Sequence, residues 1–270
     1  MRKGIITFAA ALTLSAAAHA DLKLVQQTSM GGDLGKRVQK DGGAPKTPTV
    51  TMYYKGNRTR TESGGRVTIF DGQRMLMLNP EKKTYQIIPK DAASKAVNPM
   101  LAMMDIKADV SVKPTGKTQT IQGKKAQQYL MTMTIKLGMK NTAAKDAPKA
   151  AKDAPKGDVP QIPPITSKTE LWTAEFPGLT LSGAAMSQAM PAGAASMPFV
   201  KDMTEKMKSV KGIPLQTTMT QDMMGQQMTV TMKTTTLSEA PLPDSLFAAP
   251  TGYKQVPYVA PSMPMMPGRG

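Results

Sequence analysis

Within Lys125–Leu137 the residues Tyr129, Met131, Met133, Ile135 and Leu137 fall on one side, and Thr132, Thr134 and Lys136 fall on the other. A period of two puts these sets on opposite faces of a β-strand; a helix would need a period of about 3.6. This segment commits the chain to a sheet with one buried face. The same alternation recurs at Val50, Met52 and Tyr54, and at Met228, Val230 and Met232 opposite Thr229, Thr231 and Thr235.

Leu22, Leu24, Gln26 and Thr28 start the first strand, and Asp33–Lys46, rich in Gly and Lys, reads as a loop. Arg66–Phe70 and Arg74–Leu78 are strands joined through Asp71-Gly72, a dipeptide that accepts the positive φ of a tight hairpin. Asn79-Pro80-Glu81 turns into a strand over Thr84–Ile88. Further strands are expected over Ile106–Val112, Lys117–Ile121, Lys168–Ala174, Ile213–Thr220 and Gln227–Leu237, with a turn at Pro114-Thr115-Gly116. Two segments change to helical spacing: Asp91–Met104, interrupted by Pro99, and Ala184–Val210, where Phe199, Met203, Met207 and Val210 form a stripe. About ten antiparallel strands in one open sheet would curl. The expected fold is therefore mainly β (α+β): a curved antiparallel sheet forming an unclosed half-barrel, with two helical inserts covering its concave face.

The ends of the chain set its address. Arg2 and Lys3, the apolar run Gly4–Ala18 and the triplet Ala18-His19-Ala20 have the three parts of a cleavable signal peptide. The apolar run is shorter than the roughly 20 residues that span a bilayer. Residues 1–20 are expected to be removed and 21–256 to form a single domain in the periplasm of a Gram-negative cell. Within that domain 138–165, with AAKDAPK at 143–149 and again at 150–156, reads as a flexible Lys/Ala/Pro-rich insertion. Residues 257–270 read as a disordered Pro/Met tail.

Cleavage removes the only histidine, His19, and the chain has no cysteine. The remaining chain lacks Ser-His-Asp and Cys-His nucleophiles and the usual zinc ligands, and no P-loop, zincin or nucleophile-elbow signature occurs. Composition thus points to a non-catalytic protein without a cofactor. The processed chain keeps 33 basic and 19 acidic residues, a net charge of +14, which suits contact with anionic membrane surfaces. Export and few aromatics argue against nucleic acid. A monomer is expected.

The segments VTMYYKGNRTRTES, VTIFDGQRMLMLNPEKKTYQII, PTGKTQTIQGKKAQQYLM, TELWTA, GIPLQTTM and LPDSLFAAPTGYKQV resemble, in order and spacing, the Domain of Unknown Function 4412 family. That family is similar to the periplasmic lipoprotein-carrier (LolA-like) superfamily. The resemblance covers Leu22–Val256 apart from the insertion. It implies an unclosed β-barrel with helices plugging an apolar cavity, and it carries over no functional residue.

Twenty-three methionines remain after processing. Met52, Met75, Met77, Met131, Met133, Met219, Met228 and Met232 lie on inferred inner strand faces, with Trp172 on the strand Lys168–Ala174 and Phe199, Met203 and Met207 on the second helical segment. Unbranched, polarizable side chains repack around acyl chains of varied shape. These twelve residues are the expected lining of a cavity for an apolar ligand such as a lipid or the acyl chain of a lipoprotein. The same thioethers support an alternative, a Cu(I) site at Met263, Met265 and Met266 in the tail. A further alternative is an envelope structural or stress protein without a small ligand.

Overall fold

The structure is a computed structural model, and it describes residues 21–40, 48–89, 104–139, 163–179, 199–223 and 225–259. The expected signal peptide, residues 91–103 of the first helical insert, residues 184–198 of the second, most of the 138–165 insertion and the tail from residue 260 lie outside the described residues; Met104, expected to end the first insert, opens a strand instead.

The described chain is mainly β. Twelve strands form one unclosed sheet: β1 (Leu22–Gly31), β2 (Thr49–Lys55), β3 (Arg58–Ser63), β4 (Arg66–Phe70), β5 (Met75–Asn79), β6 (Thr84–Ile88), β7 (Met104–Ile121), β8 (Lys124–Met139), β9 (Ile165–Ala174), β10 (Ile213–Met223), β11 (Gln226–Ser238) and β12 (Lys254–Gln255). Their spatial order is β12-β6-β5-β4-β3-β2-β1-β11-β10-β9-β8-β7. All pairs are antiparallel except β12 beside β6. β1 sits between β2 and β11, so the two ends of the chain meet in the middle of the sheet. Helices α1 (Gly32–Lys40) and α2 (Phe199–Met207) complete the described regular structure, with a 3-10 turn at Asp244–Phe247.

Several local expectations change. Arg58–Ser63 is a strand although its sequence RTRTES has no apolar alternation; pairing between β2 and β4 decides its conformation. Asp33–Lys46 is not loop throughout. It opens with α1, where Asp33 in the first turn complements the helix dipole. Gly35 lets that helix approach β1, because a Cβ there would come within 3.2 Å of Met30. Pro114-Thr115-Gly116 does not reverse the chain. Residues 115–117 bulge from β7 between the pairs Pro114–Tyr129 and Thr118–Gln127. Thr115 Oγ1 donates to Gln128 Oε1 at 2.9 Å across the bulge.

Three packed clusters hold the sheet. Leu22, Leu24, Ile213 and Leu215, all fully buried, join Phe176 and Ala126 at the centre. Val110, Tyr129 and Leu171 pack under α2. Val67, Ile69, Leu76 and Leu78 pack under Phe247 and its neighbours.

Candidate functional site

Directly paired residues of neighbouring strands share a face, so the register places the methionines. Met77 pairs with Thr68, Thr68 with Thr61, Thr61 with Met52 and Met52 with Leu24. Thr28, on the Leu24 side of β1, pairs with Met232. Met232 pairs with Thr217, Met219 with Val230 and Met228 with Gln221. Thr169 stands opposite both Met219 and Met131, and Ser167 opposite Met133. With Met75 beside Phe70, all eight sheet methionines singled out from the sequence lie on one face of the sheet, each half-buried. Met30, opposite Val230, belongs to the same face. Extending the alternation of Leu22 to Thr28 by two residues would have found it.

That face is not purely apolar. Thr61, Thr68, Thr169 and Thr217 stand on it, although Thr132, Thr134, Thr229 and Thr231 take the other side as their alternation predicts. Threonine is β-branched and favours strands on either face.

α2 covers one end of this face. Met203 and Met207, each 7% exposed, pack with Val110, Tyr129 and Leu171, and Met131 and Met133 flank them. The helix is tied to the edge strand β7 by Lys206, whose Nζ donates to the Val110 carbonyl and pairs with Asp202 at 3.1 Å. The backbone N–H of Lys211 donates to the Tyr129 hydroxyl at 3.3 Å. Sequence and structure thus bring Met131, Met133, Met203 and Met207 together. Met52 packs instead with the central cluster. Trp172 stands on the opposite side of β9 from Leu171, between Gln128 and Gln216, and packs against the central cluster too. Phe199 opens α2, but its side chain lies outside the described residues, as do Met263, Met265 and Met266.

The other face of β3–β6 carries a groove of about 420 Å³. Its apolar lining includes Leu76 and Ile87 from the sheet and Phe247 and Ala249 from the segment that crosses it, and its charged lining Arg58, Arg74, Asp71 and Asp244. The Arg58 guanidinium stacks 5.2 Å from the Phe247 ring centre and donates to Asp244 Oδ1 at 2.8 Å. Hydrogen bonds from Arg58 and then Lys55 hold the Asp244 carboxyl below the usual aspartate range. Burial would raise the Asp71 carboxyl, but backbone N–H bonds from Arg74 and Gln73 and the Arg74 side chain bring it below its ordinary value. The sequence reading missed this groove: Arg58 and Asp244 are 186 positions apart.

Among the described residues no group of three His, Cys, Asp or Glu side chains could hold a metal ion, and no helix is long and apolar enough to cross a membrane. No family model matches the chain, and no curated protein matches it. A solved structure described as an uncharacterized conserved protein from Thermus thermophilus is similar over 89% of this chain and 92% of its own, at 10% identity and a TM-score of 0.40.

Proposed function

We propose that the chain is an exported, non-catalytic binding or carrier protein for an apolar ligand, a lipid or an acyl chain, received on the methionine face of the sheet. The observation that carries the reading is the placement of eight methionines from β2, β5, β8, β10 and β11 on one face. Flexible thioethers over a wide sheet adapt to chains of different shape. The seating of Met203 and Met207 against Val110 and Leu171 gives α2 the part of a cover over one end of that surface. The signal peptide and the net charge of +14 after its removal suit delivery at an anionic envelope surface. The resemblance to the Domain of Unknown Function 4412 and lipoprotein-carrier families supports the same reading.

Native mass spectrometry and lipid extraction of the protein purified from the cell envelope test it. The expected result is a co-purifying lipid or a saturable complex with an acylated peptide. Met219→Gln and Met228→Gln should weaken uptake without unfolding the protein, because both side chains are only half-buried. A protein that arrives empty and ignores lipids and acylated peptides ends the proposal.

A further inference from the structure

The groove on the other face combines an apolar lining with two guanidinium groups, and it stands apart from the methionine face. We propose that it binds a medium-length alkyl carboxylate, with the chain along Leu76, Ile87 and Ala249 and the carboxylate between Arg58 and Arg74.

The first argument is donor supply. A guanidinium has five N–H donors in a planar fork that matches a carboxylate. Arg58 gives one of them to Asp244 at 2.8 Å. Arg74 uses Nε and Nη2 on Asp71, at 3.0 and 2.9 Å. Both arginines keep spare donors. Asp71, by contrast, is already occupied, since its Oδ1 accepts from the backbone N–H groups of Gln73 and Arg74.

Charge selects the head group. The lining holds two arginines and two aspartates, and Lys55, which joins Asp244 at 3.1 Å, is matched by Asp21 at 3.4 Å. The local balance is neutral, so a bound anion is met by the spare guanidinium donors alone. A monoanion adds one negative charge there; a phosphate monoester adds about 1.5 to 2 at neutral pH. The apolar lining selects against small hydrophilic anions. The groove's volume of about 420 Å³ lies within the roughly 300–1,000 Å³ of small-molecule sites.

Nuclear magnetic resonance titration of the full processed chain tests this, with decanoate, decanol and decyl phosphate as probes. Decanoate should shift the Arg58 and Arg74 side-chain N–H signals and the amides of Leu246–Ala249, and should saturate. Decanol should bind at least about tenfold more weakly, the loss expected for a charge-assisted pair. Arg74 is well exposed, so Arg74→Gln keeps the fold and should weaken decanoate by about tenfold; Arg74→Lys should recover part of the loss. Equal binding of decanol, or no effect of Arg74→Gln, overturns the proposal. Decyl phosphate binding more tightly than decanoate overturns the carboxylate assignment. Shifts confined to the methyl groups of Met219, Met228 and Met232 also overturn it while supporting the methionine face. Long-chain lipids that leave those methyls unmoved count against that face alone.

Discussion

Asp21 and Leu242 are 221 positions apart and are joined directly: the Leu242 N–H donates to Asp21 Oδ2 at 2.7 Å. Lys55 Nζ stands 3.4 Å from the same carboxylate, donates to the Leu242 carbonyl, and reaches Asp244 at 3.1 Å. Asp21 is the residue that follows the expected cleavage point. Asp21 therefore clamps the segment Leu242–Ala249, a strap that lies over β3–β6 and forms one wall of the groove.

Asp21→Ala is predicted to loosen that strap. The buried carboxylate disappears, and the Leu242 N–H loses its acceptor. Stranding such a donor costs about 1–3 kcal/mol. Urea unfolding should show the loss, and hydrogen exchange should speed up at Leu246 and Ala248, whose N–H groups close the 3-10 turn. Asp244→Ala removes an exposed partner and should move the midpoint less. Equal midpoints for Asp21→Ala and the parent protein would refute the clamp.

Acid should release the same strap from its other side. Arg58, then Lys55, lowers the Asp244 pKa in the folded state. A lowered carboxyl stabilises the fold above its unfolded value, about 3.9, and loses that contribution as pH falls through the folded value. The carboxyl carbon of Asp244 should titrate below about 3.9 in the parent and move up toward the ordinary range in Arg58→Gln, where Lys55 still holds part of the lowering. A titration that ignores Arg58→Gln would show that the pair at 2.8 Å does not act in solution.

Gly212 and Gly64 separate conformational strain from steric conflict. Both have positive φ, 82° and 54°. A Cβ at Gly64 meets nothing within 4 Å, whereas one at Gly212 would stand 2.3 Å from the Ala174 carbonyl oxygen. Gly64→Ala should cost about 1 kcal/mol, the ordinary penalty of the left-handed region. Gly212→Ala should cost at least about 2 kcal/mol more, because β9 must move away from the start of β10. Denaturant midpoints of the two variants decide this, and similar losses would remove the steric contribution.

The strands with a period of two were legible because alternation is local: Tyr129–Leu137 and Met228–Met232 could be assigned to a face from sequence alone. The shared face of Met52, Met131 and Met219 was inferred, but its proof needs the register across β1 and β11, a pairing between the two ends of the chain. β3 was illegible because Arg58, Arg60 and Glu62 carry no hydrophobic signal; Thr59 is buried only once β2 and β4 flank it. α1 was masked by its glycines, which serve close packing, Gly32 against Gln227 of β11 and Gly35 against Met30 of β1. The groove could not be seen at all, since its walls come from both ends of the chain and charged residues there resemble any solvated turn.

Oxidation by hydrogen peroxide should read the methionine face directly. Sulfoxide formation follows access to the sulfur and turns an apolar side chain polar. Met219, Met228 and Met232 are half-buried, whereas Met203 and Met207, on the underside of α2, are 7% exposed. Peptide mass spectrometry at limiting peroxide should find Met219, Met228 and Met232 oxidised first. Met203 and Met207 should react only as α2 leaves the sheet. Lys206→Met deletes the bond to the Val110 carbonyl and the pair with Asp202 while keeping an apolar stem of similar length. It should speed the oxidation of Met203 and Met207 several-fold and leave Met219 unchanged. A bound acyl chain should do the opposite, shielding Met219 and Met228. Uniform oxidation of all five methionines in the folded protein would show that α2 does not cover its end of the face.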